Sequence, residues 1–316
     1  MELFNILPRL VILTLLLVEV RPFLVPASPV GIALQGKKMQ LKGMSSENGM
    51  SGPNTSGIVT TAPVHHMGSH ELEVPNVQEG YNLAGLLTVK RPDSNSVWVL
   101  CHGLCSSKDG TVPRFVSERI HSNTYRFDFG GCGDSGGDWG YAGYKRELSD
   151  LRAVVLLLRS HGWDITCILG HSKGAAAVLH YGERYDDVPL IVNVAGRFNM
   201  EGMPRSRFTE EQWGLLETEG SFKWNVKGQD LTIRSQDLEE RAALDMRKTS
   251  GAIKKSEVLT IHGTEDEIIP VADASDFAQA VGCSHELVVV PGATHRFATP
   301  PEQDMVMDAL SRRVPL

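Results

Sequence analysis

From Glu71 onward, short apolar runs rich in β-branched residues alternate with longer segments whose leucines and valines recur at helical spacing. Residues 96–101, 188–194, 256–261 and 285–290 read as strands, most of them apolar on both faces, and 145–160 carries Leu148, Leu151, Val154, Val155 and Leu158 on one helical face. A strand without a polar face has to be covered on both sides, and helices placed between such strands supply the cover. The pattern predicts an α/β fold, a mostly parallel sheet flanked by helices. Residues 71–77 and 83–89 read as two leading strands joined by a turn at Gly80 and Asn82, 124–129 as a further strand, and 112–121, 271–281 and 302–313 as further helices.

Residues 1–70 do not share this pattern. The run 10–18 is apolar except for Thr14, with Arg9 before it and Glu19, Arg21 and Pro22 after it. A membrane span needs ~20 apolar residues, so this run predicts the core of a signal peptide or a short signal anchor. Residues 21–70 then carry Arg21, Lys37, Lys38 and Lys42 against the single acid Glu47, the composition of an acid-poor transit peptide or linker. Together they predict a targeting leader, plastid-type or secretory, with a cytoplasmic location if the true start lies downstream. The domain proper is expected over 71–316, without a stable membrane span.

The net charge of −7 is spread without long basic or acidic runs, which argues against nucleic-acid binding, since phosphate recognition needs a clustered positive face. The five cysteines (Cys101, Cys105, Cys132, Cys167 and Cys283) are odd in number, and Cys101 and Cys167 fall in expected core strands, so they form no disulfide framework. Cys101 and Cys105 lack a second ligand pair at zinc spacing and read as small buried hydrophobes or free thiols.

Gly170-His171-Ser172-Lys173-Gly174 stands between the apolar run 165–169 and the helix-forming run 175–181. Such a pentapeptide can set a serine on a sharp strand-to-helix turn, a nucleophile elbow, where glycines allow the strand and helix to approach. A serine hydroxyl needs a base to become a nucleophile, and the base needs a partner that fixes its tautomer. The strand at 256–261 is followed by a turn carrying Glu265, Asp266 and Glu267; the strand at 285–290 is followed by a loop carrying His295. Spacing leaves the choice among the three carboxylates open.

Residues 72–312 resemble an α/β-hydrolase of the serine-aminopeptidase-like and cinnamoyl (feruloyl) esterase-like branch. The likeness rests on His102-Gly103, the glycine loop 127–137, Gly170 to Gly174, His262-Gly263-x-x-Asp266-x-Ile268-Ile269-Pro270 and Gly292-x-x-His295. The resemblance selects Asp266, giving Ser172, Asp266 and His295 as the catalytic set, with the backbone N–H groups of Leu104 and Lys173 as oxyanion donors. Lys173, Leu104 and Ala175 depart from the residues frequent in relatives. His102 and His171 flank this set, and Asp128, Asp134 and Ser135 are expected to shape the glycine loop.

The resemblance implies hydrolysis of a carboxylic ester of a small or medium acyl substrate through an acyl-enzyme, with no metal or organic cofactor. Amide or aminopeptide hydrolysis, acyl transfer to another acceptor, and a non-catalytic small-molecule receptor are the alternatives; the residues specify no oligomeric state. Residues 197–255 are longer than one crossover requires and predict a small cap over the sheet, with helices at 209–218 and 235–247. Phe208, Trp213, Phe222 and Trp224 are candidates either for an acyl pocket or for the core of the cap itself.

Overall fold

The computed structural model describes residues 66–313 apart from 204 and 227. The expected leader therefore lies, as far as residue 65, outside the described residues. The chain begins with an antiparallel pair, β1 (Gly68–Asn76) and β2 (Tyr81–Val89). Strands and helices then alternate: β3 (Ser96–Cys101), α1 (Thr111–Arg119), β4 (Asn123–Phe127), α2 (Tyr144–Ser160), β5 (Asp164–His171), α3 (Lys173–Arg184) and β6 (Leu190–Val194). After the cap come β9 (Glu257–Gly263), α7 (Ala272–Ala280), β10 (His285–Val290) and α8 (Pro300–Ser311). Among the described residues the main sheet has eight strands in the order β1-β2-β4-β3-β5-β6-β9-β10. All pairings from β4 to β10 are parallel.

The absence of a polar face in the central strands has the expected consequence. In β3, Val97, Val99 and Cys101 enter one core with the inner faces of α2 and α3, while Trp98 and Leu100 enter a second core with α1 and α8. Successive side chains of a strand point to opposite faces, so both layers of helices are obligatory. A register shift between β3 and β5 pairs Val97 with Ile165 but Trp98 with Cys167, leaving Thr166 as the extra residue of a bulge. The order of strands reverses at β3, which lies between β4 and β5. The crevice beyond the carboxyl ends of β3 and β5 is thus where an open parallel sheet offers a ligand site.

The interval 197–255 holds a hairpin between the two expected helices, and two helices where the second was expected. The segment around Phe222-Lys223-Trp224 is the first strand of a hairpin, β7 (Ser221–Val226) with β8 (Gln229–Arg234). The residues expected as one helix over 235–247 form two, α5 (Ser235–Ala242) and α6 (Met246–Ala252). The break has a local cause: the Asp245 side chain accepts from the Lys248 N–H and caps α6 afresh. Helix α4 (Glu210–Glu219) starts with a reciprocal pair between Thr209 and Gln212.

Helix α2 shows how the helical layer is held. Leu151, Val154, Val155 and Leu158 are fully buried against the sheet, whereas Leu156 on the far side is half exposed. Leu151→Ala is expected to lower stability by ~2–5 kcal/mol, as for a buried leucine whose cavity cannot collapse, read from the urea midpoint at unchanged m-value.

Candidate active site

Ser172 occupies the corner between β5 and α3 with φ 57° and ψ −116°, a left-handed backbone that a serine adopts only under constraint. The constraint is steric. A Cβ on Gly170 would sit 2.1 Å from the Gly174 carbonyl oxygen, and one on Gly174 would sit 2.4 Å from the carbonyl oxygen of His102 beyond β3. A Cβ on Gly103 would meet the Ser172 Cβ at 3.0 Å. Three chain segments therefore close on the serine, and the Ser172 N–H is held by the Val194 carbonyl at the end of β6.

His295 reaches this corner from the loop after β10. Its Nε2 lies 3.0 Å from Ser172 Oγ and its Nδ1 lies 2.8 Å from Asp266 Oδ2. Nδ1 faces a carboxylate and so carries the proton, which leaves Nε2 free to accept from the serine hydroxyl. Of the three acids in the turn after β9, Asp266 alone meets the imidazole side chain; Glu267 accepts from the His295 main-chain N–H at 3.2 Å. Asp266 Oδ1 also accepts from the N–H groups of Ile268 and Ile269, at 2.9 and 2.7 Å, in a tight turn ahead of α7. Burial works to raise its carboxyl, but hydrogen bonds from His262, His295 and the Ile269 N–H outweigh it and hold the group well below the usual carboxylate range.

Two histidines position the set. His262 Nε2 stands 3.2 Å from Asp266 Oδ2 and 3.0 Å from the Ile269 carbonyl, so its N–H is shared between them while its Nδ1 has no hydrogen-bond partner among the described residues. His171 Nε2 donates to the His295 carbonyl at 2.9 Å, and burial together with the nearby His295 pushes its pKa down to about 3. Neutral at physiological pH, it braces the main chain of His295. His102 is equally structural: Nδ1 donates to the Gly103 carbonyl, Nε2 accepts from the Phe129 N–H, and burial pushes it down to about 4. Asp128, Asp134 and Ser135 tie the glycine loop to Lys108 and β2.

Leu104 and Lys173 border Ser172 and His295 in one cavity of about 650 Å³. As the first residue of α3, Lys173 has an N–H with no intrahelical acceptor. Its side chain turns away to a buried ion pair with Glu147 on α2, Nζ to Oε1 2.6 Å, over the ring of Tyr144. Of the four cap aromatics, Trp224 lines the cavity; Phe208, Phe222 and Trp213 instead pack with Tyr141, Leu216 and Ile233 in the core of the cap. Among the described residues no group of three or more His, Cys, Asp or Glu side chains is placed to hold a metal ion, and no helix is long and apolar enough to cross a membrane.

A family profile described as serine aminopeptidase, S33, matches residues 92–248, which includes the elbow but stops short of Asp266 and His295. Est1E from Butyrivibrio proteoclasticus, solved with ferulic acid bound, superposes with a TM-score of 0.64 at 18% identity, over 76% of this chain and 96% of its own. The chain has the α/β-hydrolase fold. Mouse α/β-hydrolase domain-containing protein 10 superposes on it with a TM-score of 0.59 at 18% identity, over 77% of this chain and 97% of that one. An uncharacterised protein of Saccharomyces cerevisiae is 24% identical over 230 residues, 64% of this chain and 69% of the yeast protein.

The depressed carboxyl of Asp266 makes stability depend on pH. A group held below its unfolded pKa contributes stability that is present above the unfolded value and lost as pH falls through the folded one. The advantage of the wild-type protein over Asp266→Asn in urea denaturation is therefore expected to be full from about pH 5 to neutrality and to shrink below about pH 4. A gap that stayed constant down to pH 2 would mean that Asp266 is not held as a carboxylate.

Proposed function

We propose that the protein is a serine esterase that cleaves a carboxylic ester of a small or medium acyl substrate, with Ser172 as nucleophile, His295 as general base and then acid, and Asp266 as its partner. The observation that carries this reading is the unbroken hydrogen-bonded chain from Ser172 Oγ through His295 to Asp266 at the wall of the cavity. His295 Nε2 takes the hydroxyl proton as Ser172 attacks the ester carbonyl, and Asp266 stabilises the imidazolium so formed. The N–H groups of Leu104 and Lys173 receive the oxyanion, each contributing ~3 kcal/mol to the transition state. The proton on His295 passes to the departing alcohol; water, deprotonated by the same imidazole, then attacks the acyl-serine and releases the acid. The ferulic acid bound to Est1E is consistent with an acid as product on this fold.

Aminopeptide hydrolysis, the activity in the name of the matching family, is the second reading. It would need a carboxylate in the cavity to hold the substrate's α-ammonium group. Among the described lining residues Asp109 is the one carboxylate, and Arg126 already binds it. The ester reading is therefore preferred. The leader remains part of the proposal only ahead of β1, since Gly68, Ser69 and His70, read as leader from the sequence, pair with β2; it would direct the chain to a plastid-type organelle or the secretory route.

A fluorophosphonate probe is expected to label the wild type and not Ser172→Ala, and turnover of p-nitrophenyl esters of graded chain length to fall ~1,000-fold or more in Ser172→Ala and about 10⁴-fold in Asp266→Asn. Equal labelling of both proteins would remove Ser172 as nucleophile. Labelling without turnover of any ester in the panel would favour the receptor reading.

A further inference from the structure

Opposite the serine, the cap brings arginines into the same cavity. Arg197 follows β6, Arg207 precedes α4 and Arg241 lies on α5, and all three line the space that Ser172 opens into. Among the described residues none of them has a carboxylate in a salt bridge. Arg241 is 6% exposed and donates to the carbonyls of Met200 and Gly202. Arg197 donates to the same Gly202 carbonyl at 3.2 Å and to the Ile268 carbonyl at 2.6 Å, in the turn that carries Asp266. Arg207 has no hydrogen-bond or ion-pair partner among the described residues.

Two guanidinium groups sharing one carbonyl oxygen repel each other, and partial burial strengthens that repulsion by lowering the local dielectric. Burial, then Arg241 and Arg207, push the Arg197 guanidinium below its usual range. Asp273 attracts Arg197 from nearby but forms no salt bridge with it, its Oδ2 accepting instead from the N–H groups of Phe198 and Asn199. One carboxylate at that range leaves most of the charge of three guanidinium groups uncompensated, while Glu147 pairs with Lys173 and Asp109 with Arg126. Neutral carbonyls orient the guanidinium groups without cancelling their charge. Buried cations are normally paired, and here the missing partner faces the cavity.

We propose that the substrate is an ester bearing a second, anionic group, a carboxylate or a phosphate, which binds against Arg197, Arg207 and Arg241 while the ester carbonyl lies at Ser172. The inference rests on the esterase reading and narrows it. Guanidinium groups match planar or tetrahedral oxyanions with paired hydrogen bonds, and in a cavity of about 650 Å³ such an anchor fixes both the distance and the orientation of the scissile bond. Cleavage itself is unchanged: water adds across the acyl–oxygen bond and yields an acid and an alcohol, with the anchoring anion untouched.

The test compares mono-p-nitrophenyl esters of adipic and suberic acid with their neutral methyl diesters, and a phosphate-bearing p-nitrophenyl alkanoate with its dimethyl phosphate counterpart. The wild type is expected to favour an anionic ester over its neutral partner by 10- to 100-fold in kcat/KM, on the order of one or two charge-assisted hydrogen bonds. Whichever head group shows the larger ratio identifies the anion. Arg207→Gln, which removes no hydrogen bond within the protein, should collapse that ratio towards one, and Arg197→Gln should do the same. Equal turnover of charged and neutral esters by the wild type, or a ratio unchanged in both variants, overturns the proposal. If no ester is turned over, the esterase reading has failed on its own. The anion site is then decided by calorimetric titration of adipate and of inorganic phosphate: binding that is lost in Arg207→Gln supports it, and no binding of either overturns it.

Discussion

The left-handed backbone at Ser172 is the constraint on which the surrounding architecture depends. A serine held there costs about 1–3 kcal/mol relative to relaxed backbone, so the turn survives only because its neighbours leave it no alternative. Gly170, Gly174 and Gly103 are the positions at which those neighbours touch, and each contact excludes a side chain. Because the contacts join β5 and α3 to the loop after β3, the serine cannot be placed without also placing Leu104 and Lys173 beside it. The reversal of strand order at β3 opens the crevice at the same point. Steric packing of main chain, more than any side-chain bond, thus fixes the relative positions of the proposed nucleophile and the proposed oxyanion donors.

The fold was largely legible because its strands are short, β-branched and apolar on both faces, a composition that few other environments tolerate. The elbow was legible for a related reason: a glycine on each side of a serine, between a strand and a helix, answers a steric demand visible in one dimension. The cap was harder. The hairpin of β7 and β8 does carry an alternating pattern, with Phe222 and Ile233 buried and Lys223 and Arg234 exposed, but the strands are short and flanked by helical segments. The break before α6 was signalled by Asp245 three residues ahead of Lys248, a capping arrangement easily absorbed into a longer helical pattern. What spacing could not choose, Asp266 over Glu265 and Glu267, depends on which carboxylate the loop after β10 meets. The bracing by His262 and His171, and the Glu147 partner of Lys173, depend in the same way on segments far apart in sequence.

The cap divides its residues between two tasks. Phe208, Phe222, Leu216 and Ile233 form a small apolar core with Tyr141, so that a short insertion can hold its shape without the main sheet's hydrophobic layers. The side that faces Ser172 is different in kind, with Trp224 beside Arg197, Arg207 and Arg241. Under the proposal above, this lining selects the substrate, while Ser172, Asp266 and His295 are presented by the turns and loops at the end of the sheet.

The pair formed by Lys173 and Glu147 carries a consequence for movement. The residue after the serine lines the cavity, yet its side chain is moored to α2. The other Glu147 oxygen lacks a partner among the described residues, and burial raises the carboxyl. Removing one end of a buried pair leaves an uncompensated charge, typically at about 3–5 kcal/mol. A displacement of α2 therefore either breaks the pair or draws the Lys173 side chain, at the first residue of α3, along with it.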